Sequence, residues 1–316
     1  MPQLNQPYQT KSAVLFLLFN RPDSTKRVFE QIKLAKPTRL YIAADGPRLQ
    51  FAEDVDLCKQ TRETVNTIDW DCEVKTLFND GNAGCKNAVS AAITWFFSHE
   101  EEGIILEDDC LPANSFFRFC DTLLEKYRYD TRIRHITGCN LQFGKQWGDS
   151  SYYFSNRTHV WGWASWRRVW RDYDLTLGRY NGDEVKEIMQ NIYPDELVAE
   201  CWANIFKEVK AGKINSWAYP LDFANFFNNG LVIIPNENLI SNIGFSTLAT
   251  HTIEEQSVYA SIPLMEIGEI THPIFIVPQK RADLSIINRD FNIAERRRKQ
   301  NAWHRKTKRW VKAMFK

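Results

Sequence analysis

Three adjacent carboxylates, Glu107-Asp108-Asp109, end the apolar run Gly103-Ile104-Ile105-Leu106 and stand directly before Cys110. A short uninterrupted apolar run fits a strand covered on both faces, and such strands present functional groups at their C-terminal ends. Acids delivered side by side repel one another and raise one another's pKa. A hard divalent cation relieves that repulsion through oxygen ligands. Taken alone, an acidic triplet also suits a solvated loop, so the flanking elements decide between the two readings.

Holding such a cluster takes a sheet, and the surrounding chain supplies one. Residues 12–22 read as a buried strand stopped at Asn20-Arg21-Pro22. A helix opens on Pro22 and Asp23 and carries Val28, Phe29 and Ile32 at helical spacing until Lys36-Pro37. A short strand from Leu40 to Ala44 ends in Asp45-Gly46-Pro47, and a polar helix around 53–66 leads to a strand near 72–78 closed by Asn79-Asp80-Gly81-Asn82. Ala88, Val89, Ala92, Ile93 and Phe96 stripe the next helix. After the acids, Pro112 opens another whose Phe116, Phe119, Leu123, Leu124 and Tyr127 share a face. This alternation predicts a mostly parallel α/β sheet with helices on both faces. Beyond Asp130 the pattern turns irregular and aromatic, with Trp161 and Trp163 among its rings, before a helix over 195–211 and a strand from Leu231 to Pro235. Rings so crowded suit a wall for a sugar or nucleoside, or the filling of a core.

The 316 residues suffice for one large domain or two modest ones. A formal net charge of +1 gives the whole chain no bias toward nucleic acid. Seven cysteines are scattered without a Cys-x-x-Cys pair, a pattern of reduced thiols in a cytoplasmic protein. The apolar run 13–19 is too short to span a bilayer, and residues 1–11 lack the form of a secretion signal. The charge asymmetry lies at 295–316, where arginines and lysines alternate with Trp303, Trp310, Val311, Met314 and Phe315. A basic amphipathic tail suits an anionic membrane surface, each cation near it contributing about 1 kcal/mol, and equally suits a solvated tail.

In an open parallel sheet the turns after the strands converge on one crevice. Asn20 and Arg21, Asp45, the stretch from Asp80 to Lys86, and Glu107, Asp108 and Asp109 are therefore predicted to meet there, as cations and a metal-binding acid would around a diphosphate. Neither a P-loop nor a Gly-x-Gly-x-x-Gly fingerprint is present, which argues against a P-loop ATPase and a dinucleotide dehydrogenase.

The order Phe19-Asn20-Arg21-Pro22, Ala44-Asp45-Gly46-Pro47, Asn79-x-Gly81 and Leu106-Glu107-Asp108-Asp109 resembles that of GT-A fold glycosyltransferases. Within that family it is most similar to bacterial nucleotide-diphospho-sugar transferases akin to the N-acetylglucosaminyltransferase that begins complex N-glycans, which also carries Glu-Asp-Asp. The likeness runs over about residues 12–252, through Val160 to Trp166 and Asn238 to Phe245. It implies a GT-A-like (Rossmann-like) domain with a nucleotide-sugar-binding half at 1–130, an acceptor-binding half at 131–280 and a basic tail at 281–316. The implied activity is metal-dependent, inverting transfer of a hexosyl or N-acetylhexosaminyl group. The donor would be a nucleotide sugar, UDP-linked, and the acceptor a glycan or lipid-linked molecule of bacterial surface polysaccharide synthesis, reached at the inner face of the plasma membrane.

Residue by residue, the resemblance implies that Asp109 ligates Mn2+ or Mg2+ on the donor diphosphate, with His251 as a second candidate ligand. Glu107 and Asp108 would contact ribose and sugar, Arg21 the nucleotide and Asp45 the uracil ring, with Asn20 and Lys86 nearby. Trp161, Trp163 and Trp217 are candidates for stacking on sugar rings. Inversion needs a general base. Relatives follow the tryptophan at 217 with aspartate, whereas this chain has Ala218. Either Asp222 supplies the base one turn later, with Asp195 and Glu196 as weaker substitutes, or the chain is inactive by nature, or position 218 carries an inactivating substitution. Two alternatives follow: a non-catalytic nucleotide-sugar- or carbohydrate-binding protein, and a nucleotidyltransferase. The latter normally needs a glycine-rich basic loop where this chain has Phe19-Asn20-Arg21-Pro22.

Overall fold

The computed structural model describes residues 6–244, 259, 260 and 262–302. The N-terminal half lays down β1 (Ala13–Leu18), α1 (Pro22–Ala35), β2 (Arg39–Ala44), α2 (Glu53–Thr64), β3 (Glu73–Phe78), α3 (Cys85–His99), β4 (Glu102–Glu107), β5 (Cys110–Pro112) and α4 (Asn114–Lys126). There follow β6 (Ile133–Thr137), β7 (Tyr152–Ser155), β8 (Trp163–Trp166), α5 (Arg167–Trp170), α6 (Gly182–Ile192), α7 (Glu196–Lys210), α8 (Ala218–Phe227), β9 (Leu231–Pro235), β10 (Ile240–Asn242) and α9 (Lys280–Asp290).

An eight-stranded sheet runs in the order β3-β2-β1-β4-β8-β6-β9-β7. The first four strands are parallel, and β8 joins β4 and β6 antiparallel. The α/β expectation holds, a large and mostly parallel sheet flanked by helices. All six residues of β1 are buried because both faces are covered. Val14, Phe16 and Leu18 pack into the core shared with α1 and α4, while Ala13, Leu15 and Leu17 pack against α3. Pro22 opens α1 where its missing N–H costs nothing, and Lys36 closes it in the left-handed region at φ 42°.

Three features depart from the sequence reading. A short strand, β5, lies between the acids and α4 and pairs antiparallel with β10, Ser241 opposite Leu111. The aromatic stretch after Asp130 contains β6, β7 and β8 rather than irregular chain. And the segment 281–316 does not begin as a tail: Ala282, Asp283, Ile286 and Ile287 of α9 are buried. Asp283 accepts hydrogen bonds from Ser155 Oγ (2.5 Å) and Asn156 N–H (3.1 Å), which ties α9 to the end of β7. Exposed Arg296, Arg297, Arg298 and Lys299 follow, and residues 303–316 lie outside the described residues. Among the described residues all seven cysteines are free thiols, and no helix is long and apolar enough to cross a membrane.

Candidate functional site

The turns after β1, β2, β3 and β4 open into a cavity of about 690 Å³. Glu107 is the last residue of β4 and pairs in register with Leu17, so the backbone of two central strands fixes where the acids start. Asp108 accepts the Phe19 N–H at 2.9 Å, and its other oxygen lies 3.5 Å from Arg21 Nη1. The same Arg21 nitrogen donates to Asp109 Oδ2. On the opposite flank the Asp109 carbonyl accepts the Ile243 N–H at 2.8 Å, just beyond β10. Gly244 then passes so close that a Cβ there would stand 2.2 Å from Asp109 Oδ2. Only glycine fits against this carboxylate.

Burial and the neighbouring Asp109 and Asp108 push the Glu107 carboxyl up to about 8, against the opposing pull of Arg21. Burial and Asp109 push Asp108 up to about 7. The thiol of Cys85, on the cavity wall at the start of α3, is pushed up to about 12 by burial and by Glu107 and Asp109. Among the described residues, one guanidinium, that of Arg21, stands against these three acids.

Asp45 lines the cavity, yet both its oxygens are engaged. Oδ1 accepts from Gly46 N–H, Asn79 Nδ2 and Ala83 N–H, and Oδ2 from Asn82 Nδ2 and Gly84 N–H, at 2.9 to 3.1 Å. This residue builds the 79–84 turn into a wall. Asn20 is directed elsewhere: its amide donates to Asp54 at 2.7 Å, and Asp54 also takes Arg48 Nε (2.6 Å) and Nη2 (3.0 Å). Arg48, held over the Phe19 ring at 5.3 Å, lines the cavity with Asn79 and Asn82. Sequence reading named the 79–82 turn but passed over Arg48, and its place directly after Gly46-Pro47 was the available signal.

Of the predicted sugar-stacking tryptophans, Trp161 and Trp217 line the cavity. Trp163 does not. It is 1% exposed, its indole stacked near-parallel to His135 at 4.8 Å and to Trp217 at 6.1 Å, and it serves the core. Lys86, Ala218 and Asp222 are also absent from the lining. Asp222 sits one turn below Ala218 on α8, buried, with Oδ1 unpartnered. Burial pushes its carboxyl up to about 6, with Arg157 opposing. Asp195 caps α7 through the Leu197 N–H at 3.1 Å, with Glu196 the first residue of that helix. His251 lies outside the described residues.

No protein-family model and no curated protein matches this chain. Partial structural likenesses are found to HddC from Yersinia pseudotuberculosis, at 10% identity over 51% of this chain and 80% of that one with a TM-score of 0.30. Another is to 4-diphosphocytidyl-2C-methyl-D-erythritol synthase from Anaerococcus prevotii, at 8% identity over 52% and 74% with a TM-score of 0.32. A third is to an apo UDP-glucose pyrophosphorylase, at 9% identity over 71% and 90% with a TM-score of 0.37. Likenesses so distant leave the chemistry to this chain's own residues.

The raised carboxyls carry a stability signature. Between the ordinary carboxylate range and about 8, the folded protein holds a proton on Glu107 that the unfolded chain has released, so stability falls as pH rises through that window. Glu107→Gln removes this penalty. Its urea midpoint should exceed that of the parent at about pH 8.5 and converge with it toward about pH 5. A difference independent of pH would contradict the assignment.

Proposed function

We propose that this protein is a metal-dependent, inverting glycosyltransferase that takes a sugar from a nucleotide diphosphate donor, UDP-linked, and passes it to a glycan or lipid-linked acceptor of bacterial surface polysaccharide synthesis. The observation that carries the reading is the cluster Glu107-Asp108-Asp109, paired among the described residues with Arg21, on the floor of a cavity at the C-terminal ends of parallel strands.

Among the described residues no three His, Cys, Asp or Glu side chains converge into a closed metal cage. What the site offers is hard carboxylate oxygen open to a cavity. That fits Mn2+ or Mg2+, which bind through one or two carboxylates together with phosphate oxygens, and does not fit a structural zinc site. Asp109 would hold the ion, which when bound neutralises charge on the departing diphosphate. Arg21 braces Asp109 and Asp108 and faces the donor. Arg48 offers a flat cationic surface for the nucleotide, and the Asp45-built turn walls it. Trp161 and Trp217 present ring faces to the acceptor.

Asp222, the acid one turn beyond Ala218 on α8, is the proposed base, although its side chain is buried outside the cavity lining. A second reading, nucleotide-sugar binding without transfer, is favoured by one observation: Trp217 and Tyr219 both line the cavity, and the residue between them is Ala218. The basic segment 295–316 would hold the protein at an anionic membrane.

Three experiments test these roles. Calorimetric titration of UDP-sugars with and without Mn2+ should show metal-dependent binding that Asp109→Ala weakens by at least about tenfold, the lower end of what losing a group that merely orients a metal ligand costs; binding indifferent to both metal and substitution would refute the donor-site reading. Ala218→Asp should raise transfer sharply if the chain lacks its base, and leave it unchanged if Asp222 serves. Deleting residues 295–316 should weaken flotation with anionic vesicles while UDP affinity stays constant; unchanged flotation would remove the tail from the membrane reading.

A further inference from the structure

Along the free edge of β7 the chain runs beside the sheet at two points and leaves it in between. Ser151 exchanges hydrogen bonds with Thr271, Tyr152 Oη lies 3.1 Å from His272 Nδ1, and Phe154 bridges Pro278 while its carbonyl accepts the Gln279 N–H at 2.7 Å. The residues between, Pro273-Ile274-Phe275-Ile276-Val277-Pro278, exceed what the edge can pair with and bulge outward. Ile276 packs inward on the core. Ile274, Phe275 and Val277 are 88, 76 and 66% exposed. Three large apolar side chains in four residues at such exposure carry a solvation cost that a core would have relieved, and contiguous exposed apolar groups mark interaction sites. The prolines at 273 and 278 withhold the N–H groups that another strand would need, which disfavours edge-to-edge pairing with a second chain.

The chain that leaves the bulge indicates the partner. Between 272 and 302 it carries seven arginines and lysines against Asp283, Asp290 and Glu295, and Asp283 is buried. Arg281 stands directly after the bulge, and Arg296, Arg297, Arg298 and Lys299 are exposed beyond α9. An apolar projection followed along the chain by exposed cations, of which Arg297 pairs with Asp195 and Lys299 with Glu295, suits a surface with an apolar interior beneath anionic headgroups. Charge alone gives weak, salt-labile binding; stable attachment takes a second, apolar contact. We propose that the 273–278 bulge is a wedge that inserts Ile274, Phe275 and Val277 into an anionic lipid surface, with Arg281 at headgroup level. This extends the membrane reading of the charged segment and is separable from it.

The test is flotation of the full chain with phosphatidylglycerol-containing and phosphatidylcholine vesicles, comparing the parent, Ile274→Ser/Phe275→Ser, and the 295–316 deletion, with light scattering on each. The exposed serines leave the core untouched, and unchanged UDP affinity and melting temperature would confirm it. The double variant should partition about tenfold or more weakly onto anionic vesicles, and the binding that the deletion retains should persist at high salt. Equal partitioning of parent and double variant overturns the wedge even where the deletion weakens binding. A parent dimer that the double variant dissolves also overturns it, and assigns the bulge to a second copy. Loss confined to the deletion leaves the tail as the sole attachment and overturns it likewise.

Discussion

The floor of the cavity is set by a repulsion that the protein does not resolve by itself. Glu107, Asp108 and Asp109 lie shoulder to shoulder with Arg21 as their close counter-ion, and burial removes the water that would screen them. Much of the nearby architecture reads as what it takes to keep such a cluster in place. Central strands β1 and β4 give it a rigid base. The Phe19 N–H holds one acid, and the β5–β10 pair brings Ile243 and Gly244 against another. A cation placed against these acids would relieve their mutual repulsion.

Asp45 works in the opposite sense. Its carboxylate spends all its capacity on donors from its own turn and from Asn79, Asn82, Ala83 and Gly84, which turns a flexible Asn-Asp-Gly-Asn segment into a fixed wall. Arg48 is likewise fixed, by Asp54 and by the ring of Phe19. The Asp45 end of the cavity is thus preorganised by hydrogen bonds, whereas the acidic end sets three carboxylates side by side.

How much of this could be read from residues alone follows from the range of the forces involved. The strand–turn units of β1, β2 and β4 were legible as apolar runs closed by Pro, Gly, Asn or Asp, and the half-polar β3 by the Asn79-Asp80-Gly81-Asn82 turn that ends it, all local signals. The strands β6, β7 and β8 were not: they are four or five residues long, and their partners lie far away in sequence. Trp161 and Trp163 show the limit most clearly. Residues two apart share a face in a strand, yet one lines the cavity and the other is core, because Gly162 at φ 58° turns the chain between them. The roles of Asn20 and Asp45 were hidden for the same reason, their partners being 34 to 39 residues distant apart from Gly46.

One consequence reaches the thiol on the cavity wall. A cysteine at the start of a helix is ordinarily a reactive one, since the helix dipole favours the thiolate. At Cys85 burial and the crowded acids reverse that tendency and push the thiol up to about 12, so the thiolate is scarce at neutral pH. The acids that crowd the crevice floor therefore also hold its cysteine in the protonated, slowly reacting form. Peroxide and alkylating agents would find the pocket slow to react, and an ion that neutralised the acids would, by the same electrostatics, wake that thiol up.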